Sequence, residues 1–248
     1  MNIGIDLDGT VYRSQKLITG CFEAVGLLKE IHEVVFLTNN ASVTPLQIIE
    51  KLTHLLEVDI NIKELVTPLN IAEEYLNDHK GTIYIHGTDL IKKYLTDVGL
   101  NISDSLKHSD ILLIGKLPTF TKRHIEIYTN FYNKGNKIFA FNKDMTYPTA
   151  DGFELGTGAL VSEVEKNIGV IIESFGKPSE YYLNYLLTRH DKFDYIIGDR
   201  IDTDVVLGDK LNSNPILLES GVYQAGDPIP DSIKVKVFSN LYEFSLSL

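Results

Sequence analysis

Short apolar runs alternate with longer amphipathic stretches along almost the whole chain, and this alternation narrows the folds open to it. The runs are Asn2–Leu7, Glu33–Leu37, Thr82–Ile85, Ile111–Ile114, Lys137–Ala140, Ile171–Phe175, Tyr195–Ile197 and Ile216–Leu218. Between them, Cys21–Ile31 carries Phe22, Val25, Leu28 and Ile31 at helical spacing. Thr44–Leu56 opens on Thr44-Pro45, a cap residue followed by proline at the first helical position. Thr121–Asn133, Ser179–Thr188 and Asp202–Leu211 read the same way. Strands alternating with helices predict an α/β fold, with a mostly parallel sheet covered by helices on both faces. At 248 residues, with 44% hydrophobic and 23% charged, the chain can bury a real core and has room for an inserted second domain. Candidate boundaries lie near Asn77–Gly81 and near Lys166–Ile171. No solenoid-period repeat and no low-complexity tract interrupts the pattern.

The net charge of −11 comes from 34 acidic against 23 basic residues, with no basic run. A nucleic-acid protein or one bound to an anionic membrane surface normally shows a basic footprint, so neither partner is expected. An anionic substrate would meet a repulsive average field here, which local cations must overcome. The one cysteine, Cys21, rules out an internal disulfide and suits a reducing compartment. The opening MNIGIDLDGT has neither a charged n-region nor an apolar h-region, and no apolar run approaches membrane-spanning length, so a cytoplasmic protein is expected. The sequons at Asn40 and Asn101 are then chance.

Four polar motifs each follow an apolar run. Asp6-Leu7-Asp8-Gly9-Thr10 follows Ile3–Ile5 and sets two acids at a strand exit, where ligands bind in open α/β sheets; the bland alternative is a strand-end acid before a D-G turn. Thr38-Asn39-Asn40 follows Val34–Leu37 and offers a hydroxyl and backbone N–H groups to a phosphoryl oxygen, or else is only a polar turn. Gly176-Lys177-Pro178-Ser179 puts a lysine, a compact charge suited to phosphate, just before a helix start. Gly198-Asp199-Arg200-Ile201-Asp202-Thr203-Asp204 places three acids within reach of a hard cation, or simply an acidic helix N-terminus. The predicted sheet would gather all four at one edge.

Together these motifs resemble the haloacid-dehalogenase superfamily, and within it the phosphatases related to NagD, p-nitrophenyl phosphatase and pyridoxal-phosphate phosphatase. DLDGTVY, FLTNNAS, FGKPS and IGDRIDTDVVLG are similar to its four motifs, and Asn142-Lys143-Asp144 through PTADGFELGTGALVSEVE to its linking segment. The resemblance implies a Rossmann-like core over 1–78 and 172–248, with an α/β cap inserted over 79–171. It implies a Mg²⁺-dependent phosphatase acting on a small phosphorylated metabolite through an aspartyl-phosphate. Asp6 would be nucleophile and metal ligand. Asp8 would be general acid/base, with its backbone carbonyl on the metal. Thr38, Asn39 and Asn40 would hold the phosphoryl group, Lys177 would bridge nucleophile and phosphate, Asp199 would complete the metal's carboxylates, and Asp204 would stand behind it. Two departures stand out. Arg13-Ser14 replaces a region where relatives often carry a glycine, and Tyr147 stands where pyridoxal-phosphate phosphatases have a substrate-contacting histidine. Tyr147 is therefore expected to shape substrate choice away from pyridoxal phosphate. The resemblance also allows a homodimer paired through the cap.

A phosphotransferase or mutase could share all four motifs, and a non-catalytic binding protein could share the fold without needing the charges. Gly156-Thr157-Gly158 lacks the third glycine of a dinucleotide loop and has no clear strand before it. The seven histidines include no i, i+4 helical pair, so no zinc site is expected.

Overall fold

The computed structural model describes residues 1–116, 120–149 and 152–248, with backbone alone at 148, 149, 152 and 153. Ala150 and Asp151 of the PTADGFEL segment lie outside the described residues. In chain order the strands are β1 (Asn2–Asp6), β2 (Tyr12–Arg13), β3 (Lys16–Leu17), β4 (Glu33–Leu37), β5 (Leu65–Val66), β6 (Ile83–His86), β7 (Ile102–Ser103), β8 (Ile111–Ile114), β9 (Lys137–Ala140), β10 (Thr146–Thr149), β11 (Gly152–Leu155), β12 (Glu173–Ser174), β13 (Tyr195–Gly198), β14 (Asn214–Leu218) and β15 (Lys236–Phe238). The helices are α1 (Cys21–Ile31), α2 (Pro45–Leu56), α3 (Pro68–Asn77), α4 (Asp89–Asp97), α5 (Lys122–Asn133), α6 (Thr157–Ile168), α7 (Glu180–Arg189), α8 (Val206–Lys210) and α9 (Leu241–Ser245).

The chain divides into two compact units, the first being 1–38, 45–66 and 182–248, the second 39–44 and 67–181. Among the described residues, the first unit holds a six-stranded parallel sheet in the order β15-β14-β13-β1-β4-β5. All five residues of β1 are buried, as a strand covered on both faces requires. From β1 the chain builds outward through β4 and β5, then returns to the other side of β1 with β13, β14 and β15. The strand order therefore reverses between β1 and β13, and ligands bind beyond the carboxyl ends of strands at such a reversal. Asp6 ends β1 and Asp199 follows β13.

The second unit holds a five-stranded parallel sheet in the order β12-β9-β8-β6-β7, and the antiparallel pair β10–β11. Here β11 corrects the expectation of no strand before Gly156-Thr157-Gly158. It belongs to an antiparallel hairpin, so Gly156 caps α6 outside any strand–loop–helix dinucleotide unit.

Helix α1 spans the expected residues but presents a different face. Its buried side chains are Cys21, Ala24, Val25 and Leu28, while Phe22 and Ile31 are 44% and 73% exposed. Four residues spaced by threes drift around a helix turning about 100° per residue, so the first and last of them lie on opposite sides. The expected helix Asp202–Leu211 is also corrected. A π-turn occupies Ile201–Val205 before α8 begins, with Val205 N–H donating to the Arg200 carbonyl five residues back.

Candidate active site

The first unit brings three buried carboxylates together at the reversal of its sheet. One oxygen each of Asp6, Asp199 and Asp204 lie within 4.8 Å of one another. Asp199 is wholly buried, Asp204 nearly so, and Asp6 is 8% exposed. Asp199 Oδ2 accepts from the Val222 N–H at 2.6 Å. Its Oδ1 is buried with no hydrogen-bond partner among the described residues. Asp204 Oδ2 accepts from the Arg200 N–H at 3.2 Å. Burial first, then the charges of Asp6 and Asp204, hold the Asp199 carboxyl well above the usual carboxylate range, while Val222 N–H and Arg200 oppose the shift. Like charges this close are costly unless a cation compensates. The oxygen-only donor set and the unpartnered Asp199 Oδ1 fit a hard divalent cation.

Glycines make this crowding possible. A Cβ on Gly198 would overlap the Asp204 carboxylate, and a Cβ on Gly9 or Gly221 would overlap that of Asp199. Gly9 is further constrained by a φ of 94°. Gly198→Ala is expected to destabilise the fold by about 1–3 kcal/mol through overpacking, read as a lower denaturant midpoint with an unchanged slope.

The π-turn decides which acids of the fourth motif converge. It turns Asp204 inward, whereas Asp202 faces outward and pairs with the Arg200 guanidinium at 2.9 and 3.1 Å. Asp8 lies past the end of β1 in a tight turn, at the strand exit where the sequence placed it. The Leu7 carbonyl accepts the N–H groups of Thr10, Val11 and Tyr12 at 3.2, 2.9 and 3.2 Å. This turn returns Tyr12 beside Asp8. The Lys51 ammonium, from α2, lies 3.3 Å from the centre of the Tyr12 ring.

Arg13 and Ser14 sit in and beside the β2–β3 hairpin that follows. Ser14 adopts a φ of 50°, a left-handed conformation to which glycine is suited. The Arg13 guanidinium donates to the Ser220 carbonyl at 2.7 and 3.1 Å and to the Gly221 carbonyl at 3.2 Å, and Ser220 Oγ donates to the Gly9 carbonyl at 2.8 Å. The loop that supplies Val222 N–H to Asp199 is thereby tied to the first motif. Thr38, also in this unit, is 1% exposed and its N–H donates to the Val66 carbonyl at 3.0 Å.

The second unit holds the remaining candidates. Asn39 Oδ1 accepts from the Lys177 N–H at 2.6 Å, and Asn39 Nδ2 donates to Asp144 Oδ1 at 2.8 Å and the Lys177 carbonyl at 3.3 Å. Asn142 Nδ2 donates to the Asn39 carbonyl at 2.8 Å. The Asn39 carboxamide thus grips the Lys177 backbone, and Lys177 is 4% exposed. A Cβ on Gly176 would come within 2.8 Å of both Asn39 Oδ1 and Asn142 Cβ, so that glycine admits this clamp. Asn40 Oδ1 accepts from Ser42 N–H at 2.9 Å and Ser42 Oγ–H at 2.7 Å, a local turn. Tyr147 on β10 donates its hydroxyl to Glu154 across the hairpin, and the Lys116 ammonium lies 3.7 Å from its ring centre.

Sequence reasoning missed Val222 and Lys51, and nothing in the spacing marks either. No helix among the described residues is long and apolar enough to cross a membrane.

Residues 3–101 match the family of haloacid dehalogenase-like hydrolases, and residues 174–243 match the HAD-hydrolase-like family. An acid sugar phosphatase of Staphylococcus epidermidis is 31% identical over 224 residues, covering 88% of this chain and 86% of that protein. The structure is similar to that of 4-nitrophenylphosphatase from Thermotoga maritima, at 25% identity and a TM-score of 0.81, covering 99% of this chain and 96% of that one. It shares its fold with p-nitrophenyl phosphatase from Archaeoglobus fulgidus, at 23% identity and a TM-score of 0.86, covering 100% and 98% of the two chains. The chain belongs to the haloacid dehalogenase-like hydrolase family.

Proposed function

We propose that this protein is a Mg²⁺-dependent phosphatase that moves the phosphoryl group of a small monoester, a sugar phosphate first among them, to Asp6 and then to water. The observation that carries the reading is the buried trio of Asp6, Asp199 and Asp204. Asp6 and Asp199, with the Asp8 backbone carbonyl, would hold the cation, and Asp204 would stand behind them. When bound, Mg²⁺ supplies positive charge that offsets the repulsion between carboxylate and phosphate.

In the first step an Asp6 oxygen attacks phosphorus, the bond to the leaving oxygen breaks, and Asp8 gives that oxygen its proton. In the second step water attacks the phosphorus of the aspartyl-phosphate and gives a proton to Asp8. The bond to Asp6 breaks, returning the Asp6 carboxylate and releasing inorganic phosphate. Lys177 is the cation assigned to the phosphoryl oxygens, and Thr38 and the backbone at Asn39 and Asn40 are assigned to the same group. Residues 79–171, most of the second unit, are read as the cap that selects the leaving group.

Rapid quenching of a turnover mixture with ³²P-labelled sugar phosphate is expected to trap label on the protein in a base-labile, acid-stable form. Loss of that label in Asp6→Asn is expected as well. Turnover without any labelled protein, or label undiminished in Asp6→Asn, would remove Asp6 as nucleophile. Label passing to a sugar acceptor faster than to water would instead make the protein a phosphotransferase.

Tyr147 carries the substrate-choice part of the reading. Tyr147→Ala is expected to change relative kcat/KM among sugar, nucleotide and pyridoxal phosphates by about 10-fold, with a smaller effect on a generic aryl phosphate. Unchanged ratios would take Tyr147 out of substrate selection.

A further inference from the structure

We infer that the loop 220–222 is a clasp that sets metal affinity, with Arg13 and Ser220 as positioning residues for the metal's oxygens and not ligands themselves. This rests on the reading of Asp199 and the Asp8 backbone carbonyl as ligands of a divalent cation.

The loop lies outside the four motifs yet reaches two of them. Val222 N–H donates to Asp199 Oδ2 at 2.6 Å, and Tyr223 N–H donates to the Asp199 carbonyl at 3.0 Å. Two consecutive amides therefore hold Asp199 by its side chain and by its backbone. With Oδ2 committed, the buried Oδ1 is the oxygen left for a cation, and it has no hydrogen-bond partner among the described residues. The same loop reaches the first motif. Ser220 Oγ donates to the Gly9 carbonyl at 2.8 Å, one peptide beyond the Asp8 carbonyl. Three residues thus fix the orientation of one assigned ligand and the backbone next to another.

Glycine at the centre of the loop brings conformational freedom that must be restrained if Val222 N–H is to stay aimed. Gly221 admits no side chain, because a Cβ there would overlap the Asp199 carboxylate. The restraint has to come from elsewhere, and Arg13 supplies it. In the β2–β3 hairpin Tyr12 is buried, so Arg13, the next residue along the strand, faces the other way. Its guanidinium donates to the Ser220 carbonyl at 2.7 and 3.1 Å and to the Gly221 carbonyl at 3.2 Å. A planar fork can hold two successive carbonyls in this way, whereas an ammonium is a point charge on a flexible stem. Gln224 Nε2 adds a bond to the Gly221 carbonyl at 3.2 Å.

The charge of Arg13 gives the test a sign. Arg13 brings a positive charge to the loop that touches Asp199. Were it acting only through its field, its removal would tighten the binding of a cation; a positioning role predicts weaker binding. The measurement is calorimetric titration of Mg²⁺ into the metal-free protein, with the metal-free melt recorded alongside. Arg13→Gln is expected to raise the Kd for Mg²⁺ by about 10-fold, the lower end of what disturbing a ligand's outer partners costs. Ser220→Ala, which changes no charge, is expected to raise it by about threefold or more. Arg13→Lys keeps the charge without the fork and should fall between wild type and Arg13→Gln. The metal-free melts of all three should stay close to that of wild type. Asp199→Asn calibrates the titration and should bind weakest. Unchanged or tighter binding in Arg13→Gln, or unchanged binding in Ser220→Ala, while Asp199→Asn binds weakly, would overturn the clasp and leave the reading of Asp199 intact. Undiminished binding in Asp199→Asn, or no binding to wild type, would remove the metal reading and the clasp with it. Should Arg13→Gln fail to fold, Ser220→Ala decides alone.

Discussion

Asp6→Asn is expected to lower kcat for phosphate release by at least about 10³, the scale on which other enzymes lose activity with their nucleophile. The substitution keeps the shape of the side chain and leaves β1 buried and paired, so its effect falls on chemistry more than on fold. It removes the attacking oxygen's charge and one of three carboxylates in the buried trio. Removing one of three mutually repelling charges relieves the fold, so the metal-free variant should melt no lower than the metal-free wild type. Steady-state kinetics and a thermal melt check both parts. Wild-type turnover in Asp6→Asn would sink covalent catalysis through this residue, and a collapse of the melt would assign Asp6 a structural role as well.

Chelation is expected to take activity to background, and added Mg²⁺ to restore it. Few protein oxygens converge here, which suits a loosely held, exchangeable ion. Binding to the folded state alone should also stabilise it, by about 2.7 kcal/mol at a hundredfold excess over Kd. Protons compete for the same oxygens, so affinity should weaken as pH falls. Asp199 makes the pH dependence of the metal-free protein specific. Its folded-state pKa is raised above the ordinary 3.8 by burial and by Asp6 and Asp204. Between those two values the folded state binds the extra proton, so the destabilisation is absent below about 3.8 and grows as pH rises through the window. Metal-free Asp199→Asn should therefore melt above metal-free wild type near neutral pH, and the gap should close in acid. Full activity in excess chelator would remove the metal from the reaction, and a gap independent of pH would remove Asp199 as the strained carboxyl.

The parts of the molecule legible in the chain were those encoded over a few consecutive residues. A continuous apolar run ending in an acid marks β1 and Asp6, and the same pattern marks β13 and Asp199. Pro45 after Thr44 marks where α2 begins. The four motifs carried the family because each is local. Short elements without such a pattern escaped, among them β15, three residues that include two exposed ones, and α9, five residues long. For α1 the ends were legible and the buried face was not, because repeated spacing by threes does not follow the turn of a helix.

Tertiary structure alone decided how the site is assembled. Spacing could not choose between Asp202 and Asp204; the π-turn did, by turning one in and leaving the other to Arg200. Asn39 reads as a phosphate-side residue in its motif, yet its carboxamide grips the backbone of a lysine 138 positions away. Val222 reaches Asp199 across 23 positions, and Lys51 meets Tyr12 from a different element. Such partners are set by strand order and by where loops return to the sheet, which no short stretch of sequence encodes. Sequence determined which groups carry the charge, because that depends on residue type and local turn chemistry. The fold decided which charges lie buried within 4.8 Å of one another, because burial and distance are properties of the packed sheet and its loops.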